Sequence, residues 1–158
     1  HWGVEYQTKQ SIYQERAANV MIDAGADVII GTHPHVVQPV EWIETENGNT
    51  GLCYYSLGNY MSSQYDAISL LEAMAWITFH VTEDGISIEK EETGVVPMVL
   101  HYTSGPFKIH GVYSLDEYTD EMAREHGAKS RGGTAVTKEY FEKKSEEIFG
   151  DMRISVSK

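Results

Sequence analysis

The segment best suited to chemistry is Gly31-Thr32-His33-Pro34-His35. Neutral imidazole is the commonest side-chain ligand for metals. A His-x-His pair on a loop presents two ring nitrogens to one ion or to adjacent ions. Pro34 between them fixes the backbone and lowers the entropy lost on closing a site. The competing reading is an ordinary polar loop stiffened by proline, because so short a motif also arises by chance. His1-Trp2-Gly3-Val4-Glu5-Tyr6 places a histidine near the Glu5 carboxylate, a combination suited to a ligand or an acid–base pair. Gly3 permits close backbone approach. In the structural alternative Trp2 and Tyr6 are core residues. Tyr55-Ser56-Leu57-Gly58-Asn59-Tyr60 ends a strand with a Gly-Asn turn. Ser56 or Asn59 either reaches into a site at the strand end or serves a tight turn, the commoner use of such residues.

The other histidines have structural readings: His80 in a strand, His101 at a strand end, His110 in a loop. His126 falls near a helix end, where the helix dipole favours a positive side chain. The acidic runs 89–92 and 142–147 read as solvated faces. Cys53 reads as a buried, inert strand thiol. No phosphate-cradling glycine loop, nucleophile elbow or kinase signature is present.

The elements that must position these residues follow from periodicity. Over 11–24, Ile12, Arg16, Ala17, Val20, Met21 and Ala24 fall near the 3.6-residue repeat and predict a helix stopped by Gly25. Residues 27–31 form a short β-branched run, read as a buried strand. His33 and His35 then lie just past its carboxyl end, where ligands of α/β sheets collect. Residues 40–44 and 52–57 flank Asn47-Gly48 and predict a hairpin. Strands over 73–81, 86–91 and 93–101 complete an antiparallel meander, and 103–111 reads as loop. Ser114 with Glu117 makes a capping box for a helix to about 126, with Gly127 as its stop. Residues 129–134 read as a polar linker. A last helix over 138–149 carries Tyr140, Phe141, Ile148 and Phe149 on its apolar side.

The 158 residues give a prior of one domain, and 41% hydrophobic content with ample aromatics excludes a disordered chain. No apolar stretch approaches the length of a membrane span. One cysteine excludes an internal disulfide and a cysteine-based zinc cluster. The net charge of −12, from 12 Lys+Arg against 24 Asp+Glu, argues against nucleic acid and against anionic lipid. An acidic protein can still handle an anionic substrate where a metal supplies the local positive charge. Residue 1 is His, and no targeting signal follows it; the expectation is a piece of a longer protein.

Taken in order, 1–6, 24–39 and 55–60 resemble the bacterial capsule-synthesis family, the CapA-like, poly-γ-glutamate synthesis group. That family resembles the calcineurin-like metallophosphoesterases. The resemblance implies an α/β (α+β) fold: half of a calcineurin-like β-sandwich flanked by helices. Residues 1–112 correspond to the C-terminal half of that domain and 113–158 to a helical extension packed on it. By the same resemblance His33 and His35 stand for the paired histidines that close the metal site. His1 stands for the isolated histidine supplied by an earlier loop. Glu5 and His35 take catalytic places, and Ser56 and Asn59 contact substrate or support the ligands. The implied cofactors are divalent ions (Mn, Zn or Fe), two in the full-length family member, and two ions about 3.5–4 Å apart can activate water and clamp a phosphate.

The aspartate, asparagine and histidine motifs that the family's N-terminal half supplies are absent from this sequence. The implied partners are therefore a complementary N-terminal half or another copy, besides an anionic polymer or phosphoester substrate. The implied location is extracellular or anchored at the cell envelope. Three functions are compatible with these residues. One is a metal-dependent hydrolase of the phosphoester type in capsule or poly-γ-glutamate synthesis. The second is a non-catalytic protein that binds or assembles surface polymer on the same fold. The third is a fold remnant with idle histidines.

Overall fold

A computed structural model describes residues 1–131 and 136–156 of the chain. The first helix, α1 (Ile12–Asp23), begins with a reciprocal cap. The Ser11 hydroxyl accepts from Gln14 N, and Gln14 Oε1 accepts from Ser11 N at 2.9 Å. Gly25, at φ 102°, follows the helix end as expected. The buried face differs from the predicted one. Gln14, Ala18 and Ile22 are buried, while Ile12, Val20 and Met21 are exposed. A polar residue can face inward here because its partner is buried with it: Gln14 Nε2 donates to Gln38 Oε1 at 2.7 Å. Ala18 and Gly51 let the helix approach the sheet; a Cβ on Gly51 would lie 2.8 Å from Ile22 Cγ1.

The first sheet holds β1 (Val28–Ile30), β2 (Val40–Glu44) and β3 (Thr50–Tyr54) in the order β1-β3-β2. β1 runs parallel to β3, and β2 pairs with β3 antiparallel as the expected hairpin. The Asp23 carboxylate, just past the α1 core residues, takes bonds from Thr45, Asn49 and Asn47. Those bonds, the Thr45 one foremost, hold its carboxyl below the usual range. β3 is buried on both faces. Cys53 and Tyr55 pack with Ala18, Ile22 and Ile29, whereas Leu52 and Tyr54 join the main core. Burial pushes the Cys53 thiol up to about 12.

Next come β4 (Leu71–Trp76), β5 (Phe79–Thr82), β6 (Gly85–Ile88), β7 (Gly94–Ser104) and β8 (Phe107–Ser114). They do not form a meander of sequence neighbours. The second sheet is ordered β4-β7-β8, and β5 with β6 makes a separate hairpin. The strand expected over 73–81 breaks after Trp76, where Thr78 turns to bond Thr93 and Glu92. The segment 103–111, expected as loop, is the end of β7 and most of β8. Phe107-Lys108-Ile109-His110 alternates apolar with polar, but all four residues are exposed, so the alternation does not mark a buried face. Ser114 and Glu117 do bond, closing a turn; the helix itself, α2 (Asp120–Glu125), starts later under a Thr119 cap. Of the expected linker 129–134, residues 129–131 belong to a 3-10 turn, and 132–134 lie outside the described residues. α3 (Lys138–Phe149) keeps its expected bounds and buries Phe141 and Phe149.

One apolar cluster joins both sheets to α3. It includes Leu52, Tyr54, Leu70, Val95, Val99, Tyr118, Phe141 and Phe149. The Tyr54 hydroxyl crosses it to donate to Gly94 O at 2.8 Å. The result is a mixed α/β architecture in which β3, the best-buried strand, ends directly beneath the histidine loops.

Candidate functional site

Two backbone bonds lay the first six residues along the His33 loop: Trp2 N donates to Thr32 O at 3.1 Å, and Tyr6 N to Pro34 O at 2.8 Å. Trp2 Nε1 also donates to Tyr55 O at 2.8 Å, with its ring stacked on Tyr55. This contact explains Gly31, since any Cβ there would overlap Tyr55 O and the Trp2 indole. Gly3 has a comparable role against the Gln14 side chain, 2.7 Å from a Cβ built there. Buried Gln38 completes the clamp by donating to Gln7 O at 2.8 Å and Lys9 O at 3.1 Å.

That clamp gathers the predicted histidines. The His1 and His33 rings lie 4.2 Å apart between centroids, and those of His33 and His35 lie 6.3 Å apart. Glu5 Oε1 stands 4.0 Å from His35 Nε2, an electrostatic neighbour rather than a hydrogen-bond partner. Asn59 meets His35 directly, its Oδ1 2.7 Å from Nδ1. The amide orientation is fixed by its other end. Nδ2 donates to His35 O at 3.0 Å and to Gln64 Oε1 at 3.0 Å, so Oδ1 faces the ring and can only accept. His35 must then carry a proton on Nδ1, and in the neutral ring the lone pair is on Nε2, on the Glu5 side.

Ser56 is not brought to this surface. It is fully buried, and its hydroxyl accepts from Gly58 N at 3.3 Å. Tyr6, read as core, is exposed; its ring stacks on His35 at 6.0 Å, and its hydroxyl accepts from Gln64 Nε2 at 3.2 Å.

The backbone around the cluster is strained. Among the described residues, four non-glycines have positive φ: Tyr6 at 61°, His33 at 106°, His35 at 60° and Tyr60 at 59°. All four stand in this site. Each such conformation costs roughly 1–3 kcal/mol and persists where the surroundings over-determine it, as at functional sites. No sequence signal pointed to this strain, because none of the four is glycine.

Sequence reasoning also passed over Glu72. It lies fully buried on β4, and its Oε2 accepts from the backbone N–H of Asn59 and from that of Tyr60 at 2.9 Å. Burial pushes its carboxyl up to about 8, against the lowering by the Tyr60 and Asn59 bonds. The only hint in sequence was a carboxylate inside the otherwise apolar run 70–75.

Three of the four remaining histidines form a second cluster, while His80, on β5, stands apart at 3.7 Å from Glu89. His101 and His126 are buried with rings 5.2 Å apart, and His110 lies 5.3 Å from His101. His126 does not act as a positive cap on α2. Its Nε2 donates to Leu100 O at 2.9 Å, its Nδ1 accepts from Ala128 N at 3.0 Å, and burial lowers its pKa.

As a metal donor set, the first cluster fits in chemistry and falls short in number. It offers imidazoles and a carboxylate, yet no group of three or more His, Cys, Asp or Glu stands at ligating geometry among the described residues. The cluster is also open to solvent. Concavities of about 470, 450 and 570 Å³ lie elsewhere, and none is lined by a histidine.

Comparison with known proteins bears on the same segment. Residues 1–64 match the family model described as "Bacterial capsule synthesis protein PGA_cap". The chain is 39% identical over 88 residues to the capsule biosynthesis protein CapA of Bacillus anthracis, covering 56% of this chain and 20% of that protein. It is 39% identical over 85 residues to the PGA biosynthesis protein CapA of Bacillus subtilis (strain 168), covering 54% and 20%. The matched stretch thus spans about a fifth of each relative's length. No solved structure gives a significant match. The resemblance to the CapA-like capsule-synthesis family therefore holds over the stretch that contains all three motifs.

Proposed function

We propose that this chain is part of a capsule or poly-γ-glutamate biosynthesis protein, and that its histidine cluster is a piece of a divalent-metal site for hydrolysis of a phosphoester-type bond at the cell envelope. The observation that carries the reading is His35. In the neutral ring the Asn59 bond puts the proton on Nδ1 and the lone pair on Nε2, beside His33 and His1, in a site that holds every positive-φ non-glycine among the described residues. The family match over residues 1–64 supports the capsule role, and the relatives' names support envelope association. No helix among the described residues is long and apolar enough to cross a membrane.

In this reading His1, His33 and His35 would hold Mn²⁺, Zn²⁺ or Fe²⁺, with further ligands from a complementary polypeptide or a second copy. Such an ion, when bound, polarises a phosphoryl oxygen and makes water a better nucleophile near neutral pH. The chain's own residues do the positioning. Asn59 holds the His35 ring with Nε2 outward, and Glu5 Oε1 is placed to take up a proton near that atom. Tyr6, stacked on His35, shields one face of the ring. Calcineurin-like architecture for the two sheets belongs to the same proposal. A non-catalytic, polymer-holding role is favoured by one observation, the incomplete donor set.

The test is Zn²⁺ and Mn²⁺ binding by titration calorimetry, followed by metal content, on this chain and on His33→Ala. Near-stoichiometric uptake, lost in His33→Ala and kept in His126→Ala, is expected. Uptake unchanged in His33→Ala, or no uptake in any form, overturns the assignment of these ligands. Metal-dependent hydrolysis of para-nitrophenyl phosphate separates the enzyme from the polymer holder, which binds without turnover.

A further inference from the structure

We propose that Glu72 is the positioning residue of the histidine site: by tying down the Asn59–Tyr60 turn from inside the fold, it fixes which nitrogen His35 presents. Three observations carry this. The Glu72 carboxylate is fully buried, and Oε2 accepts two consecutive backbone N–H groups, those of Asn59 and Tyr60. The turn is cut to receive it: Gly58 has φ 81°, and any Cβ there would overlap Glu72 Oε2. The side chain of the residue so held, Asn59, bonds His35 through both ring and backbone, at 2.7 Å to Nδ1 and 3.0 Å to O.

Nothing in the sheet calls for a carboxylate at this position. Glu72 sits opposite Met98, between Leu71 and Ala73, and its Oε1 has no hydrogen-bond partner. A buried acid left half-satisfied is expensive, and a sheet position of this kind is ordinarily filled by an apolar residue. Its retained use is the pair of donors in the turn. Tyr60 holds a positive φ of 59° beside those donors, so the carboxylate also secures one of the four strained residues of the site. The chain of contacts runs from a rigid strand, through a backbone turn, to a side-chain amide and then the ring. Outer partners of this kind set imidazole tautomer and orientation.

The inference rests on His35 being the working imidazole, but its test does not need metal or turnover. Nitrogen chemical shifts of the His35 ring report its tautomer in the metal-free chain, at a pH where the ring is neutral. The parent chain is expected to show protonated Nδ1 and unprotonated, pyridine-type Nε2. Glu72→Leu, checked for folding by circular dichroism, is expected to lose that signature, with Nε2 moving toward the protonated, pyrrole-type range. Glu72→Gln keeps an acceptor oxygen for the two N–H groups and is expected to restore it. A folded Glu72→Leu chain with the parent tautomer overturns the proposal. A second measurement needs no variant: amide exchange in the parent chain is expected to be slow at both Asn59 and Tyr60, and exchange at the rate of free peptide at either one overturns it. Failure of metal uptake with these results intact would count against the ligand assignment and leave Glu72 in place.

Discussion

The molecule carries two clusters of three histidines, and they are built on opposite rules. His1, His33 and His35 stand at the surface on strained loops, with the His35 proton directed inward by Asn59. His101 and His126 are buried against Tyr102 and Tyr118, and both nitrogens of His126 are committed to backbone. Ring proximity is similar in the two. What separates them is access: His101 Nδ1 also lacks a hydrogen-bond partner but is buried, whereas the His33 and His35 rings are partly exposed, so a count of neighbouring histidines does not mark a site.

The sharpest way to break this contrast is to exchange the consequences of mutation. His126→Ala should cost about 2–4 kcal/mol of unfolding free energy, since it empties a buried site and orphans the Leu100 carbonyl and the Ala128 N–H. Urea denaturation reads this, and metal uptake should not change. Gly31→Ala should cost about 1–3 kcal/mol by forcing Trp2 and Tyr55 apart, read by the same denaturation and by loss of the Trp2 indole bond in amide and indole spectra.

Acid should separate the clusters next. Burial, with His126 and His110 nearby, lowers His101 to about 4, and His126 is lowered as well. A depressed folded-state pKa contributes stability that is present above the unfolded value near 6.5 and is lost as pH falls toward 4. Glu72, raised to about 8, works the other way: its contribution is fully present below about 4.5 and is lost as pH rises through 8. A Glu72→Gln chain therefore isolates the histidines and should lose about 1–3 kcal/mol between pH 7 and pH 4. Denaturation midpoints across that range should show this loss, with a flatter profile in the parent. The smallest effect is expected from His35→Gly. It removes the Asn59 bond but relieves a left-handed backbone, so stability should stay within about 1 kcal/mol of the parent while metal uptake disappears.

The same contrast explains what was legible in the sequence. α3 was readable because Phe141 and Phe149 are apolar and buried on an apolar core, so periodicity and burial agree. α1 was readable as a helix but not in its phase, because Gln14 goes inward through a partner, Gln38, that lies 24 residues away. β8 was missed although Phe107-Lys108-Ile109-His110 alternates, because the four residues are exposed and the stretch is framed by the loop signals Gly105-Pro106 and Gly111. In the candidate site the motifs named His1, Glu5, His33, His35 and Asn59, all of which the fold brings to one patch. They could not reveal that Ser56 is internal, nor that Glu72 stands under Asn59. Both facts depend on a second sheet meeting the first, and no local pattern encodes that meeting.

Cys53 gives the buried strand β3 an experimental use. It is the chain's one thiol, it is fully inaccessible, and its deprotonation is suppressed to about 12. A thiol reagent will therefore find nothing to modify until β3 separates from α1, and the labelling rate becomes a clock for that opening. The same silence leaves the surface free for a single introduced cysteine. A spin label or fluorophore placed beside the histidine loops would report their motion without background from the native residue.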